Sequence, residues 1–382
     1  MEIGGVERSL LSMLNNFDYK RNQVDLMLYS HNGDLMNLLP HQANLLAEIK
    51  AYRTFRMSIR EVLKSGKLQI GLTRLAAKCH ASFGRSSENG YKQMQYMWKY
   101  TLRFLPKLEK SYDIAISYLW PHYFVAEKVK ATTKIAWIHT DYSTIDTNIK
   151  EDLNMWSKFD YLVAVSNECK HAFIKKYPIL KEKVVVIENI MSPIFVRKLA
   201  NEKIEHPLIR DHRFKIMTVA RLSYAKGIDH AVEALKVLKN RGYDNIAWYV
   251  VGYGGDETIV RELIDKHDLK ESFILLGKQT NPYPFMKEAD IYVQPSRYEG
   301  KAVTVGEAQI LGKPVLITNY PTAQSQVNNK IDGVICDLSV DGIANGIESL
   351  YNNPKLRQQL ASHCKNANYE NNKELEKLYE LM

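Results

Sequence analysis

The stretch FKIMTVARLSYAKGIDHAVEALKVLKNRGYDNIAWYVVG, residues 214–252, decides the fold that the sequence predicts. Two near-continuous apolar runs, residues 214–220 and 246–252, flank a helical pattern over 226–241 that stops at Gly242. Apolar runs of strand length that alternate with helices are typical of a parallel sheet covered by helices on both faces. The stretch therefore predicts a β–α–β unit of a doubly wound, Rossmann-like domain.

The same alternation extends on both sides of this unit. A chain of 382 residues suits two hydrophobic cores, so we expect an α/β fold with two Rossmann-like domains. Toward the N-terminus the strands QVDLMLY, YDIAISYL, KIAWIH, YLVAVS and VVVIEN repeat the pattern, with a long basic helical stretch between the first two. Toward the C-terminus we expect helices over 256–267, 283–288 and about 302–311, and strands over 273–277, 290–296 and 314–318.

The domain boundaries follow from composition. We expect a first domain over residues 1–190, a linker over 191–213 with its two prolines and many charges, and a second domain over 214–360. Only Met1, Glu2 and Ile3 precede Gly4-Gly5, although a strand averages about 5–6 residues. The sequence thus predicts that the chain begins inside or just after the first strand.

Composition excludes several classes of protein. Apolar residues make up 45% and charged residues 25% of the chain, which is ordinary for a globular domain. The four cysteines are far apart and show no C-x-x-C spacing, which argues against a disulfide framework or a zinc site. No apolar run approaches the roughly 20 residues of a membrane span, and no charged-then-apolar leader opens the sequence. We therefore expect a cytoplasmic protein.

The net charge of +9 is concentrated in residues 41–110, which carry 14 Lys and Arg against 4 Asp and Glu. Tyr52, Phe55, Trp98 and other aromatic or methionine side chains lie among these cations. Such a segment could dock on an anionic membrane surface, or it could be a solvated helical face over an ordinary core. Both interpretations stay open at this point.

Polar side chains that follow strands mark a candidate site, because ligands of parallel sheets bind at the carboxyl ends of the strands. Arg221 and Lys226 follow the strand 214–220, and two cations near a helix start suit a diphosphate. His139 follows KIAWI, where a histidine is more often structural than catalytic. In the glycine-rich turn GYGGDE, position 257 is Glu, so the G-x-G-x-x-G fingerprint of NAD enzymes is missing.

The stretch SRYEGKAVTVGEA, residues 296–308, places two glutamates eight positions apart around a helix start. We expect the amides of Gly300 to Thr304 to be unpaired donors aimed at an anion. Glu307 lies one turn further along the helix, where it could accept hydrogen bonds from sugar hydroxyls. Glu299 is expected in the loop, directed toward the ligand.

The motifs GGVE, ARLSYAKGID and SRYEGKAVTVGEA, in this order along the chain, resemble those of a family 4 retaining glycosyltransferase of GT-B architecture, of the bacterial surface-polysaccharide type. The resemblance implies that Arg221 and Lys226 neutralise the donor diphosphate, that Glu307 holds the ribose, and that Glu299 contacts the transferred sugar. It also implies that the last helix, within 361–382, completes the first domain. Further implied roles are His139 at the sugar, Gly300, Lys301, Ala302, Val303 and Thr304 at sugar and phosphate, Gly277 and Lys278 near the nucleotide base, and Gly4 and Gly5 on the acceptor side.

The family often carries a bulky apolar residue where Lys301 stands, which leaves the donor sugar open. No D-x-D occurs in the chain, so we expect no metal ion and no cofactor besides the nucleotide-sugar substrate. The expected reaction transfers a sugar from a UDP-sugar to a lipid-linked or polysaccharide acceptor, with retention by front-face attack. Two alternatives remain: a nucleotide-sugar epimerase on the same fold, and a nucleic-acid-binding protein that uses residues 41–110.

Overall fold

The computed structural model describes residues 1, 4–82 and 89–382. The chain divides into two compact units, which are described separately below. The first unit contains residues 1–2, 13–188 and 373–382, and the second contains residues 3–12 and 189–372. Glu2 and Ile3, which belong to the predicted truncated strand, lie outside the described residues.

The second unit is built on a sheet of six parallel strands, as the alternation of its sequence predicts. Every neighbouring pair in this sheet runs parallel. The strand Val334–Cys336 at one edge was not predicted, because its three residues are too short to give a pattern. In spatial order the strands are Val334–Cys336, Val315–Thr318, Ile291–Gln294, Phe214–Val219, Ile246–Val251 and Phe273–Gly277.

Hydrophobic cores cover both faces of this sheet. Along the strand Phe214–Val219, Ile216 packs into one core with Trp248, while its neighbour Met217 packs into the other core with Tyr249. Neighbouring strand residues point to opposite faces, so a strand that is apolar at every position must be covered on both sides. Each buried side chain of this size contributes about 1.5–3 kcal/mol.

The predicted linker over 191–213 is instead part of the second unit. Residues 193–199 form a helix, and Val196, Ala200 and Leu208 are buried in the core beside Met217. The prolines that suggested a linker begin helical turns here, where a missing amide proton costs nothing. The helices of this unit are Pro193–Leu199, Ile228–Asn240, Glu257–Lys266, Tyr283–Lys287, Val303–Ile310, Val340–Asn352 and Pro354–Asn366.

The first unit contains a sheet of four parallel strands that follow one another in chain order. The predicted strand QVDLMLY lies outside this sheet: only Asp25–Leu26 is extended, and it pairs with Asn44–Leu45. The four strands are Ser111–Ser117, Lys130–Ile138, Tyr161–Ala164 and Val184–Val186. The helices are Lys50–Arg53, Ile59–Lys64, Leu68–Ser82, Asn89–Thr101, Tyr123–Lys128, Ile149–Trp156, Asn167–Lys176 and Lys373–Glu380, and a further helix, Gly5–Asn15, begins in the second unit and ends in the first.

The C-terminal segment is divided between the two units. Helix Pro354–Asn366 belongs to the second unit, where Leu360 is fully buried in the core. Helix Lys373–Glu380 belongs to the first unit, where its Tyr379 hydroxyl accepts a hydrogen bond of 2.7 Å from the amide of Asp18. The predicted segment 361–382 is therefore too long, and only residues 373–382 group with the first unit.

The basic segment 41–110 is helical, as predicted, and its largest aromatic side chains point inward. Tyr52 and Trp98 are buried and contact each other, with ring centroids 6.2 Å apart. Tyr52 also meets the ring of Phe124 edge-on at 4.8 Å. These aromatic residues therefore form a core and are not a surface that a partner could contact. No helix in the described part of the chain is long and apolar enough to cross a membrane.

Gly227 allows two segments of the second unit to approach each other closely. Its φ of +63° lies in the left-handed region that favours glycine. A Cβ atom placed on Gly227 would lie 2.0 Å from the carbonyl oxygen of Pro295, which follows the strand Ile291–Gln294. Because Gly227 has no side chain, the turn before it can pack against the loop that follows the strand Ile291–Gln294.

We predict that Gly227→Ala destabilises the protein more than Gly242→Ala. Both glycines have positive φ, but a Cβ atom at Gly242 would meet no atom within 4 Å. Gly242→Ala should therefore lower the free energy of unfolding only by the cost of placing alanine in the left-handed conformation, about 1–2 kcal/mol. Gly227→Ala adds a steric overlap to this cost. Urea unfolding of the two variants measures the difference. Equal losses would show that the contact with Pro295 relaxes without cost.

Candidate active site

The side chains predicted for diphosphate binding lie at the carboxyl edge of the second sheet, after the strand Phe214–Val219. Arg221 is exposed. Lys226 ends a short turn, Tyr224–Lys226, and is partly buried, with 28% of its side chain exposed. The two cations thus differ: one faces solvent, and the other is held within the protein.

Lys226 is held by Glu299. Its Nζ atom lies 2.6 Å from each carboxylate oxygen of Glu299, which is buried. The same carboxylate accepts hydrogen bonds from Ser296 Oγ at 2.6 Å and from Gln294 Nε2 at 3.2 Å. Glu299 lies in the loop after the strand Ile291–Gln294, and three side chains of the protein already bind its carboxylate. An ammonium has three N–H donors, so Lys226 retains capacity for a ligand.

A second ion pair connects the same two segments. Arg297 donates to both carboxylate oxygens of Asp229, at 2.8 and 2.6 Å. The amide of Arg297 also donates to the carbonyl of Ala225 at 2.8 Å. A bidentate pair of this kind fixes orientation as well as distance. The sequence analysis did not identify Arg297 and Asp229, which hold the Lys226 turn against the Glu299 loop.

The helix that follows this loop begins at Val303 and ends at Ile310. Ala302 lies just before it, and the Ala302 amide donates to Gln326 Oε1 at 3.1 Å. The prediction that all amides from Gly300 to Thr304 are unpaired is thus wrong for Ala302. No side chain of Ala302 could cap this helix, and no capping bond is present there among the described residues. The start of the helix therefore has no side-chain cap, and backbone amides at such a start are donors that can bind an anion.

Two helix starts lie side by side at this place. A Cβ atom on Gly5 would lie 4.0 Å from Val303 Cγ2, so the starts of Gly5–Asn15 and Val303–Ile310 are adjacent. One turn further along, Arg8 of the first helix reaches Glu307 of the second. The two helices therefore run in the same direction, and their positive ends lie together. Each helix start carries roughly half a positive charge, so together they attract an anion more strongly than one.

Glu307 is buried between two side chains. Its Oε1 accepts a hydrogen bond of 2.7 Å from the hydroxyl of Tyr283, and its Oε2 lies 3.3 Å from Arg8 Nη1. Only 4% of the Glu307 side chain and 9% of the Arg8 side chain are exposed. Burial is the largest single influence on the pKa of Arg8 and acts to lower it, but the Glu307 carboxylate together with Tyr283 and Tyr292 outweighs burial, so the pKa is raised. Burial also raises the pKa of Tyr283 well above its ordinary value.

Arg8 and Tyr283 were missing from the sequence-based site. A signal for Arg8 was present in GGVERSL, because a residue three positions after Gly5 lies on the same helix face. Arg8 Nε and Nη1 and Glu307 Oε2 are buried without an aligned hydrogen bond. The protein therefore leaves part of the hydrogen-bonding capacity of Arg8 and Glu307 unsatisfied.

The remaining predicted residues of the second unit are more peripheral. Gly277 ends the strand Phe273–Gly277 with a φ of +66°. Lys278 is exposed, and its ammonium lies 5.1 Å from the ring centroid of Tyr253. Gly4 directly precedes the helix that begins at Gly5, and Lys301 is partly exposed in the loop before Val303. Their roles at the base, the acceptor and the donor sugar stay predictions.

His139 belongs to the first unit, where it follows the strand Lys130–Ile138. Its ring lies 4.7 Å from the ring of Tyr118, and its Nε2 atom is buried without a hydrogen-bond partner. Burial lowers the pKa of His139 to about 3, so the imidazole is neutral near pH 7. A neutral ring can exchange hydrogen bonds with a hydroxyl but supplies no charge to a diphosphate.

Comparison with known proteins gives this geometry a context. Residues 200–367 match the family described as Glycosyl transferases group 1. The Staphylococcus aureus capsular polysaccharide biosynthesis glycosyltransferase CapM is 28% identical over 226 residues, which are 56% of this chain and 57% of CapM. An Escherichia coli protein named UDP-Gal:alpha-D-GlcNAc-diphosphoundecaprenol alpha-1,3-galactosyltransferase is 26% identical over 54% of each chain. The chain thus spans about half the length of these relatives.

The fold is shared more widely than the sequence. The crystal structure of the Anabaena protein HepE in complex with UDP-glucose superposes with a TM-score of 0.68 at 16% identity, and it covers 99% of this chain and 96% of HepE. The predicted fold class, α/β with two Rossmann-like units of the GT-B type, is confirmed. The residues 200–367 that match the family include Lys226, Glu299 and Glu307.

We predict that Arg8→Gln destabilises the protein by about 3–5 kcal/mol, because it leaves the Glu307 carboxylate buried without its cation. The double variant Arg8→Gln/Glu307→Gln should recover part of this loss, since no charge then stays buried. Arg21→Gln is the matched control: it removes an exposed pair with Asp18 at 3.6 Å and should change stability little. Chemical unfolding tests all three. A double variant that loses more stability than Arg8→Gln alone would contradict the pairing.

We predict that the ring of His139 does not titrate between pH 5 and 8, because its pKa is lowered from 6.5 to about 3. The unfolded chain binds the proton more readily, so this group contributes stability that is complete above about pH 6.5 and is lost as the pH falls toward 3. Histidine ring resonances recorded against pH, assigned with His139→Asn, measure the titration. A midpoint for this ring near 6.5 would contradict the prediction.

Proposed function

We propose that this protein is a retaining glycosyltransferase. It would move a sugar from a UDP-sugar to a lipid-linked or polysaccharide acceptor in the synthesis of a cell-surface glycan. One observation within the region that matches group 1 glycosyl transferases carries the proposal. The Lys226 ammonium is bound to the buried carboxylate of Glu299, and the helix start at Val303, which is open to an anion, follows the same loop. The names of CapM and of the Escherichia coli relative support the class of acceptor.

The donor diphosphate would bind at the two adjacent helix starts. Gly5 and Val303 begin these helices, and a glycine at Gly5 lets a ligand approach the backbone closely. Lys226 would contact the phosphate nearest the sugar with the donor capacity that Glu299 leaves free. Arg221, which is exposed after the same strand as Lys226, would add a second cation. These groups favour departure of the nucleoside diphosphate, because they stabilise the charge that develops on it.

Glu307 would bind the ribose through its buried polar partners. The carboxylate and Arg8 have hydrogen-bonding capacity that the protein leaves unused, and two ribose hydroxyls could satisfy it. Tyr283 already fixes one carboxylate oxygen at 2.7 Å, so the other oxygen is the one that a hydroxyl would approach. Glu299, in contrast, would act on the sugar mainly by orienting Lys226.

The transfer would proceed on one face of the sugar. The bond between the anomeric carbon and the diphosphate oxygen breaks, an acceptor hydroxyl forms the new bond on the same face, and its proton passes to the departing phosphate oxygen. Glu299 is engaged by Lys226 and Ser296, and Glu307 by Tyr283 and Arg8, so neither carboxylate is poised as a nucleophile. This argues for front-face attack over a covalent sugar–enzyme intermediate. Metal independence stays a prediction.

The acceptor class bears on where the protein works. A lipid-linked acceptor lies at a membrane, and residues 41–110 carry the positive charge that anionic lipids attract. We therefore propose that the protein acts in the cytoplasm at the inner face of the cell membrane.

We predict that Lys226→Ala and Glu307→Ala each lower the rate of sugar transfer by about 10²-fold or more, as the loss of one electrostatic contact does in other enzymes. Lys266→Ala, which removes an exposed lysine from the end of helix Glu257–Lys266, is the matched control and should leave the rate unchanged. The measurement is transfer from the cognate nucleotide sugar at saturating acceptor. Near-full activity of both variants would refute the site.

The cognate donor can be found by thermal stabilisation with a panel of nucleotide sugars, because a ligand that binds the folded state raises the melting temperature by mass action. Turnover of the stabilising donor without an acceptor, to a different nucleotide sugar, would indicate an epimerase instead. Transfer that survives a chelator such as EDTA would support a reaction without a metal. A salt-sensitive gel shift with DNA or RNA would favour the nucleic-acid alternative.

A further inference from the structure

Helix Leu68–Ser82 in the first unit carries a line of exposed leucines. Leu68, Leu72 and Leu75 are 59%, 62% and 48% exposed, and Cys79, which continues the same spacing, is also exposed. At about 100° per residue, these four positions lie within an arc of about 60° on the helix. We call Leu68, Leu72 and Leu75 the leucine stripe. Exposed apolar side chains are ordinary one at a time, but three in a row on one helix face indicate a contact surface.

The opposite side of this helix already provides its packing. Ile70 and Ala77 are buried, and Arg74 donates to the backbone carbonyls of Thr54 and Met57 at 2.6 and 2.8 Å. The helix is therefore held in place from within the unit. The leucine stripe lies on the other side of the helix, where about half or more of each leucine side chain faces solvent.

Cations lie immediately before the leucine stripe in the sequence. Arg60 and Lys64 of helix Ile59–Lys64 are exposed, and Lys67 is partly exposed. Among the described residues none of these three forms an ion pair. Elsewhere in the segment, Lys92 and Lys99 are paired with Asp146 and Glu151, each at 2.5 Å. Arg60, Lys64 and Lys67 therefore keep positive charge available immediately before the exposed leucines.

We propose that the leucine stripe inserts into the surface of an anionic lipid bilayer while Arg60, Lys64 and Lys67 contact the lipid phosphates. Apolar side chains on one helix face beside lysine and arginine are the combination that binds in the interfacial plane of a membrane. A second copy of the chain is a poorer partner, because a symmetric contact would bring these cations against each other. Nucleic acid would satisfy the cations but leave the leucines in water.

This surface differs from the aromatic residues that the sequence suggested. Tyr52 and Trp98 are buried, so the membrane contact falls on residues that the composition of the segment did not single out. The inference rests on the proposed function only for what membrane binding would achieve, which is to bring the protein to a lipid-linked acceptor. The binding itself follows from exposure and charge alone.

The test is co-sedimentation of the full chain with vesicles. Wild-type protein should bind vesicles that contain phosphatidylglycerol and phosphatidylcholine and should not bind vesicles of phosphatidylcholine alone, and salt should weaken binding. Leu72→Glu should lower the fraction bound by about ten-fold or more, the change expected when one leucine loses its burial. Ile179→Glu is the control: Ile179 is 82% exposed in the same unit, outside the leucine stripe, and its replacement should have no effect.

The outcomes separate this inference from the proposed function. Leu72→Glu should keep the melting temperature of the wild-type protein and its stabilisation by the cognate nucleotide sugar, so a loss of vesicle binding alone supports the membrane surface. Vesicle binding that is equal in Leu72→Glu and wild type would overturn the inference, as would equal loss in Ile179→Glu. A dimer in light scattering that Leu72→Glu dissociates would overturn it in favour of a second copy. If Leu72→Glu lost transfer to a water-soluble acceptor, the change would affect the active site and not membrane binding alone.

Discussion

The buried pair of Lys226 and Glu299 is the interaction on which the site depends. A carboxylate with little exposure is costly unless charged and polar partners surround it, and Glu299 has Lys226, Ser296 and Gln294 around it. These partners come from the strand Ile291–Gln294, the loop after it, and the turn after a neighbouring strand. The pair therefore fixes a cation at the sheet edge where a diphosphate is proposed to bind. Gly227 makes this arrangement possible, because a larger residue would hold the turn away from Pro295.

Much of the fold could be predicted from apolar runs alone. The strands Phe214–Val219 and Ile246–Val251 are apolar at nearly every position, and only burial on both faces allows that pattern. Features that depend on contacts distant in sequence could not be predicted in this way. Residues 191–213 have the composition of a linker, yet Val196 and Leu208 reach the second core. Local composition carries no information about which core a short apolar helix will join.

The candidate site shows the same division. Lys226, Glu299 and Glu307 were identified because each follows a strand or begins a helix, which is a local property. The pairing of Lys226 with Glu299 was not identified, because it depends on how two loops far apart in sequence approach each other. Arg8 was missed for a similar reason: nearly 300 positions separate it from Glu307. Charge counts found the basic segment but could not tell its inward aromatic residues from its outward leucines.

The division of the chain between the two units has a consequence for how the protein is made. Residues 3–12 are synthesised before residues 13–188 and pack in the second unit, while residues 373–382 are synthesised after residues 189–372 and pack in the first. Domains usually fold one after another as the N-terminal one is completed. Here the first unit still lacks helix Lys373–Glu380 after residues 189–372 have been synthesised, and the second unit needs a segment made before residues 13–188. The second unit can therefore be complete before the first, and a translation product that stops at residue 372 would lack a helix of the first unit only.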